Sequence, residues 1–423
     1  MNRFLQIFKI PDLRKKVLMV LFWLFVFRLL ATIPIPGIDV LKLQEFLGSN
    51  QLFSFLNIFS GGGLSNLSVM MLGVGPYITA TIIMQLLTIV FPNLKKAYYE
   101  EGAAGQAKFN RISRYLTVPL AILQAYGFLN LLTSQGILDR LSFVNFFGNV
   151  IVVTAGSIFL MWIGELISEY KIGNGVSLII FAGIVSQLPQ EVSSAFFNYN
   201  PAMLPTYIAF VVLSIIVIAG VVFVNEGERK IPVSYAKQVR GNKMYGGVNT
   251  YLPLRVNQAG VIPIIFAISL LLFPQFIAQA ASIFSPALSL KLNELVSGFF
   301  ANIPLYSLAY FALVVLFTYF YTAITFDPQE IAKNLQRSGG FIPGIRPGEA
   351  TAEMVGRIVR RITLFGALFL GVIAVLPNLT QIFTGIQALT IGGTALLIVV
   401  AVALEIMKQI ESQLTVREYE GIF

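Results

Sequence analysis

Ten candidate membrane-spanning apolar runs, the fifth of them short, recur along this chain of 423 residues. They lie at roughly 17–34, 72–91, 115–133, 149–167, 174–188, 205–224, 258–274, 304–325, 359–376 and 388–407. A spanning helix needs about 20 mostly apolar residues, so ten of them take roughly half the chain and leave the rest for loops and tails. With 56% hydrophobic and 12% charged residues, against about 25% charged in ordinary soluble domains, the chain would not stay in solution. The fold class expected is an all-α membrane protein of about ten transmembrane helices. One further stretch, 53–72, is interrupted by Gly61, Gly62 and Gly63 and reads as a partly re-entrant piece rather than a clean span.

Basic residues are retained on the cytoplasmic side during insertion. Of the 29 Lys and Arg, 25 fall in alternate segments, whereas the opposite segments hold only Lys42, Arg140 and Lys291, and Arg28 lies within the first span. Both termini are therefore expected in the cytoplasm, which requires an even number of spans. The apolar run after Lys16 is too long for a signal-peptide core and reads as the first span. Two cytoplasmic loops, about 225–257 and 326–358, carry six and four basic residues respectively. Loops that only enforced topology could be shorter, so a docking surface is expected of the pair. Spans one to five and six to ten can be overlaid with opposite topology, because an odd number of helices per half inverts the second. The organisation expected is a cytoplasmic segment 1–16, a first half 17–188, an external linker 189–204, a second half 205–407 and a cytoplasmic tail 408–423.

The chain has no cysteine and no histidine. Disulfides, thiolate nucleophiles, the usual zinc ligands and an imidazole base are thereby removed. Serines and threonines stand without a histidine partner, and no G-x-x-x-x-G-K-[ST] loop occurs. An enzyme is not expected, nor a cofactor or a metal site, and energy for any pumping has to come from a partner.

Five stretches then carry a resemblance: GPYITATIIMQLL from Gly75 to Leu87, GNGVSLIIFAGIV from Gly173 to Val185, LPLRVNQAGVIPIIFA from Leu252 to Ala267, GFIPGIRPGEAT from Gly340 to Thr351, and IGGTALLIVVAV from Ile391 to Val402. In this order and over nearly the whole chain they resemble the SecY family, bacterial relatives of the eukaryotic Sec61 alpha subunit. The resemblance implies two inverted five-helix halves around a central hourglass pore that passes unfolded polypeptides and releases membrane segments sideways through a lateral gate. It implies a waist of aliphatic side chains, matched here by Ile78, Ile82, Ile180, Ile184, Ile265 and Ile398. Ile78 and Ile82, like Ile180 and Ile184, are four apart and share a helical face. Branched aliphatic side chains have few rotamers and no hydrogen-bonding groups, so a ring of them can fit round a passing chain and stop ions by dewetting when empty. In an arbitrary membrane protein the same isoleucines would pack the core or face lipid.

The resemblance also implies a plug, matched by Gly61, Gly62, Gly63, Leu64, Ser65, Asn66, Leu67, Ser68, Val69 and Met70. Glycine lowers the cost of unusual backbone angles there, and Leu64, Leu67 and Val69 offer apolar packing against the ring. The alternative is an ordinary external turn. Candidate lateral-gate residues are Thr79, Thr81, Gln85, Gln124 and Asn257. A hydrogen bond in a membrane contributes about 1 kcal/mol, enough to bias a gate and too little to lock it; static bundle glue is the alternative. Arg346 in IRPGEAT matches an arginine the family uses to engage a motor or the ribosome, since guanidinium pairs bidentately with carboxylate or phosphate. Lys230, Lys237 and Arg240 could add electrostatic steering. The implied partners are SecE- and SecG-type small subunits, the SecA motor ATPase, the ribosome with its RNA, signal sequences and secretory polypeptides, and lipid, in a bacterial inner membrane. Arg28 and Glu165 read as structural. The main rival, a secondary transporter, also uses inverted repeats, but these spans hold almost no carboxylate at mid-depth.

Overall fold

The computed structural model describes residues 10–36, 57, 60, 62–64, 66–91, 94, 102–134, 136, 138, 142–197, 204–235, 238–240, 243–245, 249–281, 285–384 and 392–420. Helices occupy each of the ten apolar runs: α1 Pro11–Leu30, α2 Gly75–Val90, α3 Gly102–Ser134, α4 Phe143–Glu169, α5 Gly175–Phe197, α6 Leu204–Glu226, α7 Ile262–Ala280, α9 Ile303–Thr325, α11 Glu349–Thr384 and α12 Gly392–Glu420. Two shorter helices lie outside those runs, α8 Pro286–Ala301 and α10 Pro328–Arg337. Among the described residues, five helical stretches, falling in α3, α4, α6, α9 and α11, are long and apolar enough to cross a membrane, and α5 and α7 carry shorter apolar runs. The helices overshoot the apolar runs. Thus α3 begins well before residue 115, α11 starts at Glu349 inside the expected loop, and α12 continues to Glu420 through the expected tail.

Two compact units can be distinguished. The first comprises Met1–Tyr207, Ile268–Tyr306 and Val402–Phe423; the second comprises Ile208–Ala267 and Ser307–Ala401. In the first, α2 packs mainly on α3, α3 on α4, and α4 on α5, with α1 against α4 and α5. The α4–α5 turn shows how closely the backbones approach. The Cα of Gly175 lies against the carbonyl of Gly164, leaving no room for a side chain. Ser168 Oγ donates to Gly164 O (2.8 Å) and accepts from Gly175 N–H (2.9 Å). Asn174 Oδ1 then caps α5 by accepting from the amides of Val176 and Ser177. Small residues at a helix crossing let van der Waals packing act where lipid supplies no hydrophobic drive. The end of α12 returns to this unit, where Leu414 and Leu13 are buried together.

The second unit holds a sheet that the residue pattern does not announce. The two long loops form a three-stranded antiparallel sheet in the order β4–β1–β5, with β1 Glu228–Tyr235, β4 Asn249–Arg255 and β5 Gly340–Phe341. The register runs from Glu228 opposite Arg255 to Ser234 opposite Asn249, while Ser234 and Tyr235 pair with Phe341 and Gly340 on the other edge. A small hairpin, β2 Gln238–Arg240 and β3 Lys243–Tyr245, extends from the first loop. Inward-facing Ile231 and Val233 share a buried cluster with Leu254, Ile342, Val355 and Val359. Helix α10 starts cleanly because Asp327 accepts from the amides of Gln329 and Glu330 (2.8 and 3.4 Å) and Pro328 fills the first turn, where its missing N–H is no loss.

Candidate pore, gate and docking sites

All six isoleucines are buried, none more than 6% exposed. Ile78 and Ile82 on α2, with Ile180 and Ile184 on α5, belong to the first unit; Ile265 on α7 and Ile398 on α12 belong to the second. Other helices carry large apolar side chains that stay exposed among the described residues. On α6 these are Ile208, Val211, Val212, Ile215, Ile216 and Phe223, the last 75% exposed. In a bilayer such faces meet hydrocarbon, so burial of the isoleucines marks the side turned away from lipid.

The stretch that precedes α2 forms consecutive turns from Gly62 to Val74. Gly61 and Ser65 lie outside the described residues. Gly62 and Gly73 adopt positive φ (82° and 57°), as does Leu67 (39°), a conformation costly for a residue with a Cβ. The turns are seated rather than loose. Leu64 and Leu67 are each 1% exposed, in a cluster with Ile35 beyond α1, Phe128, Leu129 and Leu132 of α3, and Val150 and Val153 of α4. The packing expected against the isoleucine ring is thus supplied for these two leucines by α3 and α4. Backbone bonds join Ile35 N–H to Leu67 O and Val69 N–H to Ile33 O, both at 3.0 Å. Ser157 of α4 donates to Gly73 O (2.9 Å), and Gly156 sits directly under the Val69 carbonyl. Nothing in the residue pattern announces Gly156 or Ser157 as parts of this seat; a small pair inside a long apolar run is their only trace.

The expected gate residues behave differently from one another. Thr79 and Thr81 donate to carbonyls of their own helix, Gly75 O (3.0 Å) and Tyr77 O (2.9 Å), the common fate of threonine in a membrane helix. Gln124 is buried on α3, and Gln85 Oε1 is buried without a donor among the described residues. Asn257, just before α7, is fixed at both ends of a short bridge. Its Nδ2 donates to Asn225 Oδ1 at the end of α6 (2.8 Å) and to Gly260 O (3.2 Å). Within the first unit, Arg114 Nε meets Glu165 Oε1 at 2.6 Å, tying α3 to α4.

Of the docking candidates, Lys230 is exposed on β1 and Arg346 is exposed in the turn between β5 and α11. Lys237 lies outside the described residues, and Arg240 belongs to β2. The Arg346 turn is fixed by Thr351 Oγ1 donating to Arg346 O (2.9 Å) and flanked by Gly344 and Gly348 at φ 84° and 106°. The β1–β5 pairing places both loops on one small body, so Lys230 and Arg346 are carried by a common scaffold. Among the described residues no group of three or more metal-binding side chains is found.

A family model for SecY matches residues 68–407. A protein translocase subunit SecY from Mycobacterium bovis is 44% identical over 441 residues, covering the whole of this chain and 99% of that one. Among solved structures, one described as a protein-conducting channel superposes with a TM-score of 0.65 at 21% identity, covering 93% of this chain and 90% of that one. Sec61 in a canine ribosome-channel complex from the endoplasmic reticulum gives 0.61 at 20% identity, with 93% and 90% covered. Identity of 44% over the full length to a translocase subunit, together with the channel fold, disfavours a secondary transporter. The chain belongs to the SecY family and is a multi-pass membrane protein that forms a protein-conducting channel.

Proposed function

We propose that polypeptide threads between Ile78, Ile82, Ile180, Ile184, Ile265 and Ile398, and that these six side chains form the waist. The observation that supports this reading is their uniform burial at positions that match the family motifs. A waist without charge or hydrogen-bonding groups neither holds a passing chain by specific bonds nor hydrates ions when empty. The seated turns of residues 61–70 act as the plug, and they must leave their cluster with α3 and α4 when substrate enters. Thr79, Thr81, Gln85, Gln124 and Asn257 lie along the lateral gate, where signal sequences and membrane segments leave for lipid. The Asn257–Asn225 bond (2.8 Å) supports glue within one side of the gate at that position, and Gln124, buried on α3, is the latch candidate there.

The basic module of β1, β4, β5 and α10 is the docking surface. Arg346 and Lys230 are exposed on it, with Lys237 and Arg240 in the same loop system, and they meet the acidic surface of a SecA-type ATPase or ribosomal RNA. The solved canine neighbour is itself a ribosome-channel complex, which favours a ribosomal partner for this fold. Small SecE- and SecG-type subunits complete the assembly in a bacterial inner membrane, with both termini cytoplasmic as the basic residues prescribe. The chain itself supplies no catalytic group.

The reading is tested at the waist. Replacing Ile82 or Ile265 by asparagine in the reconstituted channel is expected to raise resting ion conductance and to admit substrates with weakened signal sequences. Unchanged conductance and unchanged stringency in both variants remove these residues from the pore.

A further inference from the structure

Arg28 has no part in the pore, gate or docking reading, yet its surroundings are specific. It is half-buried near the outer end of α1, a costly place for a guanidinium unless groups there receive it. A methyl group on Gly62 would lie 2.6 Å from Gln187 Nε2 and 3.5 Å from Arg28 Nη1, so Gln187 closes on the backbone where the plug turns begin, with Arg28 beside it. Gln187 belongs to α5 and also accepts from Asn57 Nδ2 at 3.4 Å. Asn57 O in turn receives Gly62 N–H (2.8 Å) and Ser60 Oγ (3.0 Å), and Ser60 Oγ receives Leu64 N–H (3.0 Å). One polar chain thus runs from α5 into the first turn of the segment, with the guanidinium of α1 beside it.

From this we infer that Arg28 and Gln187 form a latch that holds the leading turn of the plug, so that the resting seal depends on a polar clasp between α1 and α5 as well as on the leucine cluster. The inference rests on reading residues 61–70 as the plug. Guanidinium suits the clasp because its five donors form a planar fork that can serve backbone carbonyls from a single position. The absence of a side chain at Gly62 is what lets Gln187 approach, and its φ of 82° is one that a side chain would resist. The latch is positional: neither residue touches translocating substrate, and separation of α1 from α5 releases the plug.

The test is ion efflux from vesicles carrying the complete channel complex, without substrate. Arg28→Leu and Gln187→Leu are each expected to raise resting efflux about fivefold, the scale of one interhelical hydrogen bond in a membrane, while Arg28→Lys stays near the parent. Gly62→Ala, which keeps both side chains but pushes Gln187 away, is expected to leak as well. Because the parent chain has no cysteine, the double variant Asn57→Cys, Gln187→Cys can be bridged with a short bifunctional thiol reagent. Bridging is expected to restore the seal in the Arg28→Leu background. Deletion of residues 62–70 separates the two levels. If the deletion leaks while Arg28→Leu and Gln187→Leu stay tight, the latch is wrong and the plug stands. If the deletion itself stays tight, the plug reading falls and the latch falls with it.

Discussion

The turns of residues 62–74 and the module formed by β1, β4, β5 and α10 both lie outside the long helices, and they are stabilised in opposite ways. The turns have no helix or strand among the described residues, and their leucines complete a core whose other members come mainly from α3 and α4, with Ile35 beyond α1 and Leu138 beyond α3. The module has its own sheet and its own cluster of Ile231, Val233, Leu254, Ile342, Val355 and Val359. On the proposed reading the first leaves its seat when substrate enters, and it supplies only part of the cluster. The second keeps its own core, so on the same reading a force applied at Arg346 is passed to β1. The proposal thus assigns one element to detach and the other to transmit.

The largest effect expected from disturbing this division is at the transmitting surface. Arg346→Glu is expected to abolish ATPase-driven export without lowering thermal stability or raising resting leak; export measured with purified motor and vesicles checks it, and retained export removes Arg346 from the contact. Ile231→Ala removes a buried branched side chain and costs about 2–4 kcal/mol by the usual transfer and cavity terms. It should weaken export and expose 228–255 to protease while the resting seal stays tight. Gly156→Ala attacks the detachable element instead, because the new methyl group has no room under the Val69 carbonyl. A resting leak with normal motor binding is expected, the mirror image of the Ile231→Ala result. Equal leak from both would show that the two regions are not independent. The smallest effect belongs to Thr81→Val, whose hydroxyl bonds only its own helix. It should shift the hydrophobicity threshold for membrane insertion by less than about 1 kcal/mol, whereas Asn257→Leu, which strands Asn225, should shift it more.

The span pattern was legible because hydrocarbon forces it: each apolar run had to become a helix, and each did. Helix ends were not legible, since polar residues extend a helix once it leaves lipid, as Glu349–Val359 extend α11 and Lys408–Glu420 extend α12. The module was hidden for a different reason. Strand β1, ERKIPVSY, alternates at only Ile231 and Val233, and its partners lie about twenty residues away in β4 and over a hundred away in β5. Such non-local pairing leaves little local signal. Of the candidate site, the isoleucines and Arg346 came from family motifs. The seat formed by Gly156 and Ser157 and the nearness of Arg28 and Gln187 to Gly62 depend on close approaches that only coordinates reveal. Arg28 was visible as an anomaly in an apolar run, but its place beside the turns was not.

The central claim is that substrate passes the isoleucine waist, and the most direct measurement is site-specific crosslinking to an arrested secretory chain. Photoreactive probes at Ile82 in the first unit and Ile265 in the second are expected to capture the same segment of the arrested polypeptide, with a probe at outward-facing Phe223 capturing none. Capture from Phe223 with silence at Ile82 and Ile265 would contradict the account.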